Sequence, residues 1–277
     1  MASSNISALK IAFIGGGNMA SAIIGGLIKR GLAPGQIQVV EPFAEQAQRL
    51  TSQFGVTVMP SAEASLAGAG LVVWAIKPQI FSQAAVPVRA HTLTALHLSV
   101  AAGIRSDSIA RWLGTERVVR AMPNTPALIG QGMTALLARP AVTAADRLVI
   151  ESVVATTGAH LWLDREEQLD AVTALSGSGP AYVFYFIEAM MEAGTEMGLD
   201  AAQARELAIA TFVGASALTQ ASDEAPQTLR ERVTSKGGTT YAALTAMEQS
   251  GVKTQFKQAM QAARARAAEL GDEFGAD

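Results

Sequence analysis

Apolar positions recur in two different rhythms along this chain. In the first half, short unbroken apolar runs alternate with helical patterns. The runs predict strands at Lys10–Ile14, Ile37–Val40, Gly55–Val58, Leu71–Ile76, Leu96–Ala101 and Val118–Met122. Several are continuous β-branched or leucine runs, as expected for strands covered on both faces. Between the first two, Ile23, Ile24, Leu27 and Ile28 share one helical face, and Gly31 follows as a C-terminal cap. A second helix is predicted over Phe43–Phe54, stopped by Gly55. Strands that alternate with helices imply βαβ units and a parallel sheet.

The second half has another rhythm. After Leu161–Leu163 no further strand is predicted. Helical patterns cover Glu166–Leu175, Pro180–Met197, Ala201–Ala221, Thr239–Gln249 and Val252–Leu270, punctuated by Gly198, Pro226 and Gly251. A domain boundary is placed near Asp164, giving an α/β domain over 1–163 and a helical domain over 164–277. In the helix after Pro180, the run Tyr182, Val183, Phe184, Tyr185, Phe186, Ile187, Met190 and Met191 leaves little polar surface. A helix apolar nearly all round must be buried, either at the centre of a small helical domain or against another subunit. Met1–Ala8 reads as a disordered lead-in and the tail after Gly271 as frayed. No internal repeat stands out.

Composition narrows the function classes. The 277 residues suit one large domain or two modest ones. With 49% hydrophobic and 16% charged residues, a disordered or fibrous chain is excluded. A net charge of −3 supplies no global basic field for nucleic acid. The absence of cysteine excludes disulfides, thiolate metal sites and a cysteine nucleophile. The three histidines, His91, His97 and His160, lie scattered outside the motifs and read as packed or surface residues, so no metal site is expected. The most apolar stretches, Ile11–Ile14, Leu71–Ile76 and Ala181–Met191, fall short of the roughly 20 residues of a membrane helix. Met1–Ser7 lacks a secretory pattern, so a soluble cytoplasmic protein without membrane or nucleic-acid partners is expected.

The strongest motif follows the first strand. Gly15-Gly16-Gly17-Asn18-Met19-Ala20 has the pattern G-x-G-x-x-A and opens a helix. Gly15 permits the tight turn, Gly17 lets the backbone approach a pyrophosphate, and Ala20 allows close helix–strand packing. Glu41 ends the second strand, where an acid that accepts hydrogen bonds from the adenosine ribose belongs. Such a carboxylate repels a 2′-phosphate, so it leans toward NAD over NADP. Lys77 and Pro78 follow the fourth strand, in Trp74-Ala75-Ile76-Lys77-Pro78, at the end of the sheet where ligands bind.

Three further motifs are rich in small polar residues, glycine and proline. They are Met122-Pro123-Asn124-Thr125-Pro126, Ser176-Gly177-Ser178-Gly179-Pro180 and Thr234-Ser235-Lys236-Gly237-Gly238-Thr239-Thr240. Pro180 suits a first helical position, with Ser178 or Gly179 as cap. The last segment offers N–H groups and hydroxyls at a helix start, suited to a carboxylate. Each motif alone is ordinarily a capped turn. Together with a dinucleotide loop, they point to a substrate site.

These motifs, in this order and spacing, closely resemble the pyrroline-5-carboxylate reductase family from about Lys10 to Leu270. The resemblance implies an N-terminal Rossmann domain and an all-α dimerisation domain. It implies reduction of the imine of Δ1-pyrroline-5-carboxylate to L-proline with NADPH or NADH, the last step of proline biosynthesis. It also implies a homodimer, with dimers building into a decamer in some members. Gly15, Gly17, Asn18 and Met19 would hold the pyrophosphate. Ala75, Lys77 and Pro78 would line the cofactor cleft, and Asn124 and Thr125 would sit close to the nicotinamide. Ser176, Gly177, Ser178, Gly179 and Pro180 would border the substrate. Ser235, Gly238 and Thr239 would hold its carboxylate, and Thr240 would hydrogen-bond the ring nitrogen as the catalytic residue. Asp223 falls where some members carry a pocket acid. Glu41 and Ala62 depart from the family's pattern on the adenosine side and weigh against its NADPH habit.

Two other readings fit the sequence less well. A β-hydroxyacid dehydrogenase shares the two-domain plan but uses a lysine, and no lysine lies between Lys77 and Lys236. A non-catalytic dinucleotide sensor would have degraded substrate loops, whereas Ser176–Pro180 and Ser235–Thr240 are intact.

Overall fold

Four apolar residues in a row, none exposed, make β1 (Ile11–Ile14) the middle of a sheet covered on both faces. The computed structural model describes Ile6 and residues 9–275; the expected lead-in otherwise lies outside them. β1 pairs in parallel with β2 (Ile37–Val40) on one side and β4 (Leu71–Trp74) on the other. β3 (Thr57–Met59) flanks β2, while β5 (Leu96–Ser99) and β6 (Val118–Met122) extend the other edge, all parallel. The order β3-β2-β1-β4-β5-β6 is that of a Rossmann sheet. Beyond it, β7 (Gly132–Ala138) runs antiparallel to β6, and β8 (Gly158–Trp162) parallel to β7.

Helices cover both faces. They are α1 (Asn18–Lys29), α2 (Ala44–Phe54), α3 (Phe81–Thr92), α4 (Ser106–Leu113) and α5 (Ala144–Val154). Two large apolar clusters result, beside a small one of Ala135, Leu137 and Leu169. One joins Phe13, Ile24, Leu27, Leu50, Val73 and Leu98; the other joins Trp74, Phe81, Val88, Ile104 and Leu113. The helical half comprises α6 (Gln168–Val172), a π-type turn (Thr173–Gly177), α7 (Gly179–Glu196), α8 (Ala201–Gln220), α9 (Pro226–Arg232), α10 (Thr239–Gln249) and α11 (Val252–Gly275). The chain forms two compact units, 1–178 with 263–277, and 179–262.

Several expectations need correction. Gly55 does not start a strand: its φ of 68° puts it in the left-handed region, where it caps α2, and β3 begins at Thr57. The runs Leu71–Ile76 and Leu96–Ala101 end as strands at Trp74 and Ser99. β7 was not expected, because its sequence has one β-branched residue, Thr134, among glycine, alanine, methionine and leucine. Pro226 does not merely punctuate; it occupies the first turn of α9, where its missing N–H costs nothing. The tail is helical to Gly275, whose carbonyl accepts from Ser108 Oγ at 3.3 Å and Arg111 Nη2 at 3.1 Å.

Candidate active site

The β1–α1 turn supplies the first cluster. Gly15 has φ 91°, and a Cβ there would sit 2.6 Å from the Ala75 carbonyl oxygen, so only glycine fits against the end of β4. Gly15 and Gly16 are buried, whereas Gly17 and Asn18 are exposed. Gly17 is the N-cap of α1 and offers no side-chain cap, and the first turn of α1 has no acid. Among the described residues nothing lies within 4 Å of where a Gly17 Cβ would be. An uncapped helix start behind an open glycine is the shape and polarity a pyrophosphate needs, so these residues fit a dinucleotide.

Glu41 is drawn into the same turn. Its Oε2 accepts from the Gly16 N–H at 2.9 Å and its Oε1 from the Phe43 N–H at 2.9 Å. Gln46, which the sequence did not single out, donates from Nε2 to the Gly16 carbonyl at 2.5 Å. Lys77 is exposed and caps a short 3-10 turn that begins at Pro78.

The second cluster joins the loop after β6 to the turn after α6. Asn124 Nδ2 donates to Ser176 Oγ at 3.2 Å, and the Met133 N–H donates to Asn124 Oδ1 at 2.9 Å. The unexpected β7 therefore holds the Asn124 amide. The Met122 side chain lies over Gly177, so a Cβ there would force it aside. Thr125 is exposed at the start of the following 3-10 turn.

Behind this cluster runs an ion network that sequence reasoning missed. Buried Arg120 pairs with Glu166, which also accepts from the Ser106 N–H at 2.9 Å and from Ser106 Oγ. Burial pushes the Glu166 carboxyl up, but Arg120 and Ser106 together hold it below the usual carboxylate range. Arg105 pairs with Asp170 at 3.1 Å and reaches the Ala268 carbonyl of α11. An arginine inside the apolar run Val118–Met122 was the available signal, since a buried charge needs a partner.

The third cluster lies in the helical unit. Gly237 has φ 76° and turns the chain so that the Gly238 N–H donates to the Ser235 carbonyl at 3.0 Å. Gly238 caps α10, and Thr239 and Thr240 fill its first turn. Gly238 and Thr240 are half-buried, while Ser235 and Thr239 are exposed. α7 begins at Gly179-Pro180. Asp223 is exposed in the turn before α9.

His97 belongs to none of these clusters. Trp74 Nε1 donates to its Nδ1 at 3.0 Å, and its Nε2 faces the Thr92 carbonyl at 3.1 Å. Burial pushes the imidazole down to about 4, so it is neutral inside the sheet. Among the described residues no group of three or more His, Asp or Glu could hold a metal ion, and no helix is long and apolar enough to cross a membrane.

Comparison with known proteins covers both halves. Residues 166–270 match the family described as pyrroline-5-carboxylate reductase dimerisation, and residues 10–103 match NADP oxidoreductase coenzyme F420-dependent. A pyrroline-5-carboxylate reductase of Pseudomonas aeruginosa is 43% identical over 98% of this chain and 100% of its own length. The solved reductase of Coxiella burnetii has a TM-score of 0.87 at 35% identity, covering 95% of this chain and 98% of that one. That of Plasmodium falciparum, with NADP bound, has a TM-score of 0.86 at 26% identity, covering 96% and 99%. Similarity of this extent, over the sheet half and the helical half alike, makes the chain a member of the pyrroline-5-carboxylate reductase family.

Proposed function

We propose that this chain reduces the C=N bond of Δ1-pyrroline-5-carboxylate with NAD(P)H to give L-proline, the last step of proline biosynthesis, in the cytoplasm. The observation that carries the reading is full-length similarity to reductases of that name, together with intact glycine, Ser176–Pro180 and Ser235–Thr240 motifs.

A bound nicotinamide supplies the hydride for the imine carbon. The chain's own residues position and polarise. The start of α1, with Gly15, Gly17, Asn18 and Met19, holds the pyrophosphate by backbone N–H groups. Ala75, Lys77 and Pro78 line the cleft at the end of β4. Asn124, fixed by Ser176 and the Met133 N–H, and Thr125 stand by the nicotinamide side. Ser176 to Pro180 border the substrate ring. Ser235, with the N–H groups of Gly238 and Thr239 at the positive end of α10, holds the substrate carboxylate.

Hydride addition needs a nitrogen that is protonated or strongly hydrogen-bonded, because positive charge makes the imine carbon electrophilic. A cyclic imine gains that proton from water, so no strong protein acid is required. Thr240, in the first turn of α10, hydrogen-bonds the ring nitrogen and relays a proton from water. The working unit is a homodimer whose helical regions pack on each other. Addition of pyrroline-5-carboxylate to enzyme and reduced cofactor will cause loss of nicotinamide absorbance and formation of proline. No substrate-dependent loss with either NADH or NADPH would overturn this function.

A further inference from the structure

The corner where β2 meets α2 carries charge of one sign. Glu41, Pro42, Phe43, Ala44, Glu45 and Gln46 include two carboxylates and no cation. The first basic residue of α2, Arg49, reaches back to Glu45 at 4.0 Å. The segment after β3, Pro60-Ser61-Ala62-Glu63, adds a further acid and again no cation. Both segments follow the carboxyl ends of strands in the half of a Rossmann sheet that takes the adenosine end of a dinucleotide.

Glu41 is fixed in this corner rather than free to swing aside. Only 7% of the residue is exposed, and the N–H groups of Gly16 and Phe43 each bind one carboxylate oxygen. A carboxylate has about four lone-pair directions, so one on each oxygen is left for a further donor. Two adjacent ribose hydroxyls are two donors at matching spacing. A 2′-phosphate offers acceptors and negative charge instead, and a held carboxylate repels it. The same Gly16 N–H bond couples the acid to the pyrophosphate turn, so swinging it away to admit a phosphate would strip a donor in the glycine loop of its partner.

We propose that Glu41 is a specificity-determining residue that takes the adenosine ribose hydroxyls and makes this chain selective for NADH over NADPH. The inference rests on the reading that the glycine loop binds a nicotinamide dinucleotide. It parts from the Plasmodium falciparum neighbour, which was solved with NADP.

The test is equilibrium binding of NADH and of NADPH to the full-length enzyme, without substrate, by calorimetry. NADH will bind at least about tenfold more tightly, the scale of one hydrogen bond to a charged group. In Glu41→Gln, which keeps the shape and one acceptor but removes the charge, the ratio will shrink toward one. In Glu41→Ser it will fall further or reverse, chiefly by loss of NADH affinity. Thermal unfolding of each variant checks that it is folded, and the wild-type ratio decides even if both variants fail. Equal or tighter binding of NADPH by the wild-type enzyme would overturn the proposal. So would an unchanged ratio in a folded Glu41→Gln. Failure to turn over pyrroline-5-carboxylate would count against the reaction and not against this selectivity, which is read from binding alone.

Discussion

The two compact units solve the problem of apolar residues in opposite ways. The sheet unit hides them: Phe13, Ile24, Leu50, Leu71, Trp74 and Phe81 are all less than 2% exposed. The unit 179–262, among the described residues, buries only Gly194, Ala204 and Ala208. It leaves Phe184, Tyr185, Met197, Leu207, Val213 and Leu218 mostly exposed. Its internal packing includes Tyr182 and Phe186 against Phe256, with centroids 5.6 Å apart, and Gly194 against Ala204. Large apolar side chains exposed in this number suit an interaction surface. The difference teaches that the sheet unit carries its own core, while the helical unit leaves large apolar side chains on its surface, as the proposed homodimer would need. Residues 166–270, a span that includes this unit, match a family described by its dimerisation.

Matched substitutions break this comparison most sharply. Val213 and Val86 are similarly exposed, at 64% and 72%, one in each unit. Val213→Glu will dissociate the assembly and abolish activity, as seen by sedimentation and turnover. Val86→Glu will leave the mass unchanged and alter stability by less than about 0.5 kcal/mol.

Within the sheet unit, Gly15→Ala will have the next largest effect. Forcing a side chain into left-handed backbone costs about 1–2 kcal/mol, and overlap with the Ala75 carbonyl adds about 1–3 kcal/mol. A loss of roughly 2–5 kcal/mol in urea unfolding is expected.

Acid will weaken the sheet unit by a smaller amount. Burial lowers the folded-state pKa of His97 from 6.5 to about 4, so the unfolded chain binds one more proton between those values. The stability tied to neutral His97 is fully present above pH 6.5 and is lost as pH falls toward 4. The loss is about 2 kcal/mol by pH 5. Urea midpoints from pH 7.5 to 5 will show this slope, and His97→Gln will flatten it. Thr240→Ala will lower turnover roughly 10- to 100-fold with little change in stability. Unchanged steady-state turnover would remove Thr240 from the mechanism.

Local chemistry made part of this arrangement legible in the sequence. β1, the glycine turn and α1 follow from an apolar run meeting G-x-G-x-x-A, and α10 was located at Thr239–Gln249 from its pattern alone. Elements whose identity depends on distant partners were not legible. β7 is a strand because β6 and β8 flank it, not because its leucines and alanines prefer that state. The bonds from Met133 and Ser176 that fix Asn124 depend on that strand and on the turn after α6. Gln46 escaped for a similar reason: nothing in its local pattern reveals that it reaches Gly16 thirty residues earlier. Glu41 was legible as an acid after β2, but its hold on the Gly16 N–H was not.

The claim that the helical unit is completed by a second copy is tested most directly by the mass of the wild-type enzyme at micromolar concentration. Light scattering will give twice the 28.8 kDa of the chain, or a multiple of that dimer. A fully active species of 28.8 kDa would contradict it.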